Sequence, residues 1–448
     1  MSRGGRFQNC NFIFNRGFAV KRRDFLKVGV GAVSFPYLIP SSAMGKAGAV
    51  APSNRIVMGA IGTGSMGTGD LRGFLGKNDV QFVAVCDVDS ANKNRAKKHV
   101  DGKYGNQDCA EYDDYRDLIA RGDLDAVMHA LPDHWHGIVS VACARAGLDI
   151  HGQKPLARTI RGGRAICDAV KQYGRVWQTG SWQRSVGYFH KAAELVNAGV
   201  IGKVKYCEVG LPNGRGSGVL PVTPVPERLN YDMWLGPAPW REHVALSGDT
   251  VHWNWRWVMD YSGGQLTDWA GHHIDIAHWG LGLDTSGPVS VTEAKGVYPT
   301  EGTYNVPTAY RFKNTYANGV QIVVANASQQ PHGMGACWYG ENGQWIHVKR
   351  GGMKASSPEI LKTVLGPNDK RLYKSTDHKQ NFLDCIKSRQ KTITPVETAH
   401  RSISAGLLGE IAMLTGRDLK WDPVKETFIG DEAANRYLSR PMRAPWHY

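Results

Sequence analysis

The 448-residue sequence has no apolar run of the 18 or so residues that a membrane-crossing helix needs, which excludes a helical span. Its eight cysteines include no C-x-x-C pair. That absence argues against a zinc ribbon, a redox dithiol or a disulfide-stapled scaffold. Cys86 and Cys143 fall inside apolar patterns and read as small buried hydrophobes. Past Lys46 the basic residues are dispersed, with neither a basic stripe nor a nucleic-acid module, so nucleic acid is not an expected partner. Apolar residues are not scarce. A composition of 42% hydrophobic and 21% charged residues is that of a folded chain, long enough for two or three domains.

Positive charge is concentrated at one end. The formal net charge is +14, and the first 46 residues hold eight basic side chains against one acid, half of that excess. Lys21-Arg22-Arg23-Asp24-Phe25-Leu26-Lys27 is a twin-arginine pattern. A short apolar stretch follows, Val28 to Ile39, then the small-residue stretches Ser41-Ser42-Ala43 and Ala47-Gly48-Ala49. In this order the three features resemble a twin-arginine (Tat) export signal over residues 1–49. The resemblance implies engagement of the Tat machinery and a periplasmic or other extracytoplasmic destination. No cysteine follows the apolar stretch, so no stable membrane anchor is expected.

Downstream, Arg55–Ile61 reads as a short buried strand and runs straight into Gly62-Thr63-Gly64-Ser65-Met66-Gly67, which opens a helical pattern. This is G-x-G-x-x-G between a strand and a helix, the setting in which it binds a dinucleotide. Gly62 permits the turn, Gly64 lets the backbone approach a pyrophosphate, and Gly67 lets helix and strand pack; Ser65 and Met66 lie in the same loop. A second strand, Gln81–Cys86, ends at Asp87, twenty residues after Gly67. An acid there accepts hydrogen bonds from ribose hydroxyls and repels a 2′-phosphate, favouring NAD over NADP. Asp89 or Ser90 suits the N-cap of the next helix better than Asp87 does. Alternation continues: helix Tyr112–Ala120, strand Asp125–Ala130, helix Trp135–Ala146, strand Leu148–His151, helix Arg161–Tyr173, strand Arg175–Thr179. Such alternation predicts a parallel sheet covered by helices on both faces, with ligands at the carboxyl ends of its strands.

Leu131-Pro132-Asp133-His134-Trp135-His136, Gly152-Gln153-Lys154-Pro155 and Gly263-Gly264-Gln265-Leu266-Thr267-Asp268-Trp269-Ala270-Gly271-His272-His273-Ile274-Asp275 fall at or beyond those ends. With the fingerprint, they resemble the glucose–fructose oxidoreductase / inositol dehydrogenase / MocA (Gfo/Idh/MocA) superfamily, from about residue 54 to the end. The resemblance implies an α/β fold: a Rossmann domain over 54–180, then an α/β domain over 181–448 built on a large, open, mostly antiparallel sheet. It implies a dinucleotide site that includes Pro132, His136, Gln153 and Lys154. It implies a catalytic group of Lys154, Asp268 and His272, and association into dimers or tetramers. The second half agrees on its own terms. Lys203–Val209, Val289–Lys295, Ala309–Phe312, Val320–Ala325, Ala336–Gly340 and Gln344–Val348 read as strands, and helices are expected near Asp377–Ser388 and Val396–Leu414.

The chemistry fits those residues. Oxidising a carbinol requires a base for the hydroxyl proton while hydride leaves. His272 is assigned as that base and Lys154 as oxyanion stabiliser or co-base; Asp268, four residues before His272, orients substrate or imidazole. His273 points to another helix face, and Asp275 reads as structural. The family usually carries Glu before Lys-Pro; here Gln153 stands there and removes one negative charge. His134, His136, His272, His273 and His278 gather near the expected cleft, but their spacing fits no standard zinc site, and no metal is expected.

Nine of the 14 tryptophans lie between 177 and 279, and aromatic faces stack on sugar rings. Trp182, Gln183 and Arg184, after the last strand of the first half, are the expected substrate contacts with Asp268 and His272. Trp253–Trp257 alternates as a strand would. Three functions follow: an NAD-dependent sugar or polyol oxidoreductase, a redox-neutral glycosidase resembling the NAD-dependent α-N-acetylgalactosaminidases, or a sugar-binding protein without catalysis. An exported enzyme has no soluble pool to recycle NADH, so a tightly bound cofactor is expected.

Overall fold

The computed structural model describes residues 54–448 apart from 247, 249 and 250. The twin-arginine segment and its cleavage region lie outside the described residues.

The first half is a six-stranded parallel sheet in the order β3-β2-β1-β4-β5-β6. The elements run β1 (Ile56–Ile61), α1 (Ser65–Leu75), β2 (Val80–Cys86), α2 (Ser90–Tyr104), β3 (Ala110–Tyr112), α3 (Tyr115–Ile119), β4 (Ala126–His129), α4 (Asp133–Arg145), β5 (Asp149–Gly152), α5 (Ile160–Gln172) and β6 (Trp177–Thr179). Strands β4, β5 and β6 are buried along their whole length, because helices cover both faces of a parallel sheet. The expected helix from Tyr112 begins at Tyr115: residues Ala110–Tyr112 are drawn into the sheet beside β2, and Asp114 caps α3 by accepting from the Arg116 N–H. Asp89, not Asp87, caps α2.

The second half follows with α6 (Gly187–Asn197), β7 (Tyr206–Leu211), α7 (Tyr231–Leu235), α8 (Gly264–Trp269), a π-helical segment Ala270–Ile274 and α9 (Asp275–Leu281). Then come β8 (Pro288–Val297), β9 (Ala309–Tyr316), β10 (Gln321–Asn326), β11 (Gly335–Tyr339), β12 (Trp345–Lys349), β13 (Gly352–Ala355), α10 (Pro358–Lys362), α11 (His378–Ser388), α12 (Val396–Thr415), β14 (Leu419–Asp422), β15 (Thr427–Phe428) and α13 (Glu432–Asn435). The strands form one nine-stranded sheet, β13-β12-β11-β7-β10-β9-β8-β14-β15. Only β7 and β10 pair in parallel. Along β9, Tyr310, Phe312, Asn314 and Tyr316 are buried while the alternate residues are half-buried, as expected of a sheet with one face on the core.

One expectation is corrected. Trp253–Trp257 does not form a strand. Trp253 takes a left-handed φ of 63°, which breaks extended backbone, and Asn254–Trp257 winds into a 3-10 turn closed by the Trp257 indole N–H donating to Asn254 Oδ1 at 3.1 Å.

The two sheets are joined through α12, which packs on α5 and on β8 and β9. Buried charge fixes this junction. Arg158 donates to both carboxylate oxygens of Glu410 at 2.7 and 2.8 Å. Arg164 and His400 both donate to Glu426. Burial alone would raise the Glu426 carboxyl, yet the His400 and Arg164 hydrogen bonds hold it down at about 2. A carboxyl held below its ordinary 4.5 stabilises the fold fully above that value and loses the contribution as pH falls toward 2. The Glu426 contribution, read as the difference in denaturant midpoint between this protein and Glu426→Gln, should therefore be level above pH 5 and fall between pH 4.5 and 2. Glu410→Gln, which leaves Arg158 uncompensated, should cost about 3 kcal/mol in the same unfolding experiment.

Candidate active site

A cleft of about 630 Å³ runs along the carboxyl ends of β1, β2, β4 and β5. At one end lies the glycine loop. Gly62 has φ 76°, and a Cβ on Gly67 would come within 1.9 Å of the Gly62 carbonyl oxygen, so neither position accepts a larger residue. A Cβ on Gly64 would meet nothing within 4 Å, because that residue faces the open cleft. No side chain caps the N-terminus of α1, which leaves its first backbone N–H groups for an anion. These features fit a dinucleotide pyrophosphate. Gly62, Gly64, Ser65, Met66, Gly67, Asp87, Pro132, Gln153 and Lys154 all line the cleft.

Asp87 is tied to the loop as well as facing the cleft. Its Oδ2 accepts from the Thr63 N–H at 2.6 Å and the Thr63 hydroxyl at 3.1 Å, and its Oδ1 from the Asp89 N–H at 2.9 Å. Burial raises its carboxyl, against those hydrogen bonds. Arg95 stands beside it in the cleft, bonded to the Thr63 carbonyl and to Asn92. The second half of the chain crosses this end: Ser90 N–H donates to the Arg228 carbonyl, Asn230 N–H to the Val88 carbonyl, and His252 Nε2 lies 3.0 Å from Asp89 Oδ2.

At the other end β5 delivers Lys154, whose peptide bond to Pro155 is cis. Lys154 Nζ donates to Asp268 Oδ1 at 2.7 Å and to the Asp268 carbonyl at 3.2 Å. Asp268 is fixed at the end of α8, 9% exposed. Burial alone would raise its carboxyl, but Lys154 and Arg256 hold it below the usual range. His272 is 3% exposed, with Trp269 and Trp182 at ring-centroid distances of 5.4 and 6.3 Å. Burial, then Lys154 and Arg350, push its imidazole well below the ordinary value, so the ring is neutral. Its Nδ1 is sealed off without a partner.

Four expected contacts differ. Asp268 and His272 do not bond each other: the wider π turn over Ala270–Ile274 separates their faces, and Asp268 turns to Lys154 instead. Arg184 is 1% exposed and serves structure, donating to Asp275 and Asp284 at 2.7 Å each, so it is not a substrate contact. Gln183 is equally buried; with its amide turned to satisfy both ends, it donates to the His272 carbonyl (3.1 Å) and accepts from Arg350 Nε (3.2 Å). His136 does not line the cleft but lies between the Pro155 and Leu131 carbonyls, at 2.5 and 2.9 Å. Trp182, by contrast, is 38% exposed. The other histidines are engaged or enclosed: His134 at the Trp234 carbonyl, His278 at the Tyr316 hydroxyl, His273 in the core against Trp269. Among the described residues no three metal-ligating side chains converge.

Gln153 has a structural reason. Its amide donates to Asp70 Oδ2 at 2.6 Å, and Lys379 on α11 donates to the other oxygen at 3.0 Å. Burial alone would raise Asp70; His151, Lys379 and the Gln153 amide hold it below the usual range. The missing negative charge therefore sits on α1. Three residues at the site escaped the sequence reading: Asp70, Arg256 and Arg350. Only Asp70 carried a local signal, an acid one turn past the glycine loop on a face otherwise apolar.

Residues 56–181 match the model of the oxidoreductase family's NAD-binding Rossmann fold, and residues 211–448 match its C-terminal alpha/beta domain. The chain belongs to this Gfo/Idh/MocA oxidoreductase family. It is 28% identical over 141 residues, 30% of each chain, to an alpha-N-acetylgalactosaminidase of Shewanella oneidensis. It is 30% identical over 147 residues, 32% of this chain and 42% of the relative, to an inositol 2-dehydrogenase of Salmonella paratyphi B. In these curated relatives the matched stretch is less than half of their own length. Among solved structures, aldose-aldose oxidoreductase from Caulobacter crescentus, complexed with glycerol, aligns with a TM-score of 0.58 at 17% identity, over 82% of this chain and 99% of that one.

The Asp70–Gln153 pair makes a prediction. Gln153→Glu should lower the denaturation midpoint by placing two buried carboxylates in contact, and adding Asp70→Asn to the same chain should restore most of the loss.

Proposed function

We propose that this chain oxidises a CH–OH group of a carbohydrate or polyol, using NAD that it retains between turnovers. The observation that carries the reading is the Lys154–Asp268 pair at 2.7 Å, closing a cleft whose other end is a dinucleotide cradle. A dinucleotide held by the Gly62–Gly67 loop and Asp87 would supply the hydride acceptor for the carbinol carbon. Lys154 holds the oxygen as it becomes an alkoxide, through the one Nζ donor not engaged by Asp268. Asp268 keeps that ammonium aimed. His272, neutral and enclosed, takes the hydroxyl proton on Nε2. Trp182 and Trp253, 38% and 58% exposed, are the sugar platforms beside the site, whereas Trp177, Trp234, Trp255, Trp257 and Trp279 are buried.

Retention of the cofactor is supported by the backbone and side-chain bonds that the Arg228–Asn230 and His252 segments make across the adenosine end. Export through the Tat route, read from residues 1–49, supports it too, because an exported enzyme must regenerate its cofactor within its own cycle. Asp87 at the end of β2 favours NAD over NADP. A redox-neutral glycosidase is the second reading. It is favoured by the similarity to alpha-N-acetylgalactosaminidase; the same three residues would handle the proton transfers, and a retained NAD would take the hydride and return it within one cycle.

Protein purified natively without added nucleotide, then denatured, should release close to one nicotinamide dinucleotide per chain, identified by mass as NAD. Release of none overturns the retained-cofactor reading. His272→Ala should lower kcat by about 10²–10⁴-fold while leaving the released nucleotide unchanged, and Lys154→Met should lower kcat by a comparable factor. Full turnover by His272→Ala overturns the site assignment.

A further inference from the structure

Positive charge around Asp268 exceeds what its carboxylate answers. Lys154 uses one oxygen, and Arg256 Nε stands 3.7 Å from the same atom. Asp133, the other acid lining this end, is buried against the Ser262 hydroxyl, and burial raises its carboxyl toward the neutral form. A third cation, Arg350, follows directly on β12. It makes no ion pair with any described residue.

Arg350 is nonetheless not loose. Its guanidinium carbon lies 4.9 Å from the Trp182 ring centroid and 4.4 Å from that of Trp269. Gln183, 1% exposed, accepts from its Nε and donates to the His272 carbonyl. The next turn is anchored by Gly351 N–H donating to the Tyr188 hydroxyl at 3.0 Å. An exposed arginine normally keeps about 2 kcal/mol of rotamer entropy. Here two indoles and a buried amide have already fixed the plane, and the Nη1–Nη2 edge makes no hydrogen bond within the described protein. Both indoles are the ones that flank His272. The fixed fork therefore stands beside the proposed base, across the same two indoles.

A preorganised, unpaired guanidinium edge matches a planar carboxylate, to which it donates two parallel in-plane hydrogen bonds. From this arrangement, which rests on the proposed reaction at the same site, we infer that Arg350 is a carboxylate receptor and that the carbohydrate is a sugar acid, a uronate or its glycoside. Arg256, with its guanidinium carbon 4.7 and 4.5 Å from the Trp253 and Trp255 rings, adds to the field that draws the anion in.

The test uses the natively purified protein and quenching of its tryptophan fluorescence. Methyl glucuronide and methyl galacturonide are titrated against methyl glucoside and methyl galactoside, with glucose 6-phosphate as the tetrahedral anion. At least one uronide should bind ten times more tightly than its neutral partner and than the phosphate, with the preference shrinking as salt rises. In Arg350→Met the acid-to-neutral affinity ratio should fall to about one. Arg350→Lys, a point charge without the fork, should recover only part of it. Equal binding of acid and neutral sugars, a preference for the phosphate, or a ratio unchanged in Arg350→Met each overturns the inference. If neutral sugars alone bind and turnover still requires His272, the inference fails while the proposed reaction stands. If no sugar of either kind binds, both fall.

Discussion

The Lys154–Asp268 ion pair is the constraint around which this molecule is arranged. One charge comes from the end of a parallel strand, the other from a helix more than a hundred residues later, and both are almost out of water. Desolvating two such ions costs several kcal/mol each unless the geometry is close and the remaining donors and acceptors are satisfied. The surroundings supply that geometry. His136 sits against the Pro155 carbonyl, directly after Lys154. Ser181 donates to the Gly271 carbonyl at 2.7 Å, which ties the π segment to the end of the Rossmann sheet. The paired carboxylates at Glu410 and Glu426 hold α12 against both halves, so the strand end and the helix end cannot drift apart.

Much of the fold was legible in sequence because parallel strands buried on both faces read as unbroken apolar runs, and the glycine loop has few other uses between a strand and a helix. The cleft-lining group from Gly62 to Lys154 follows from where those strands end. What sequence could not supply is direction. Gln183 and Arg184 are neighbours after β6, and both were expected to reach substrate. The 3-10 turn over Trp182–Ser185 sends them inward and leaves Trp182 facing out. Trp253–Trp257 alternates like a strand, but a single left-handed residue at its start turns the alternation into a tight coil. Asp268 and His272 have α-helical spacing, and a π segment between them changes which partners they meet. Each of these departures turns on one or two backbone angles, to which hydrophobic periodicity is blind.

The tryptophans divide in the same way. Density along the chain suggested a carbohydrate surface, and burial separates two populations. Trp177, Trp234 and Trp279 are core, whereas Trp182 and Trp253 keep open faces and, with Trp269, also hold arginines in place. One indole can thus hold a cation over its ring while part of it stays exposed. A single residue type can in this way give the site both an apolar floor and a fixed charge.

The contact between Gln153 and Asp70 has a consequence for how such a site changes over generations. The two positions share a single negative charge, carried here by Asp70 and answered by Lys379. Exchange of the acid between strand and helix takes two substitutions, and the order matters. The route through two neutral side chains passes through an under-charged but packable intermediate. The route through two acids passes through buried like charges a hydrogen bond apart. Positions 70 and 153 are therefore epistatic, and the letter before Lys-Pro can vary while the electrostatics of the cleft stay put.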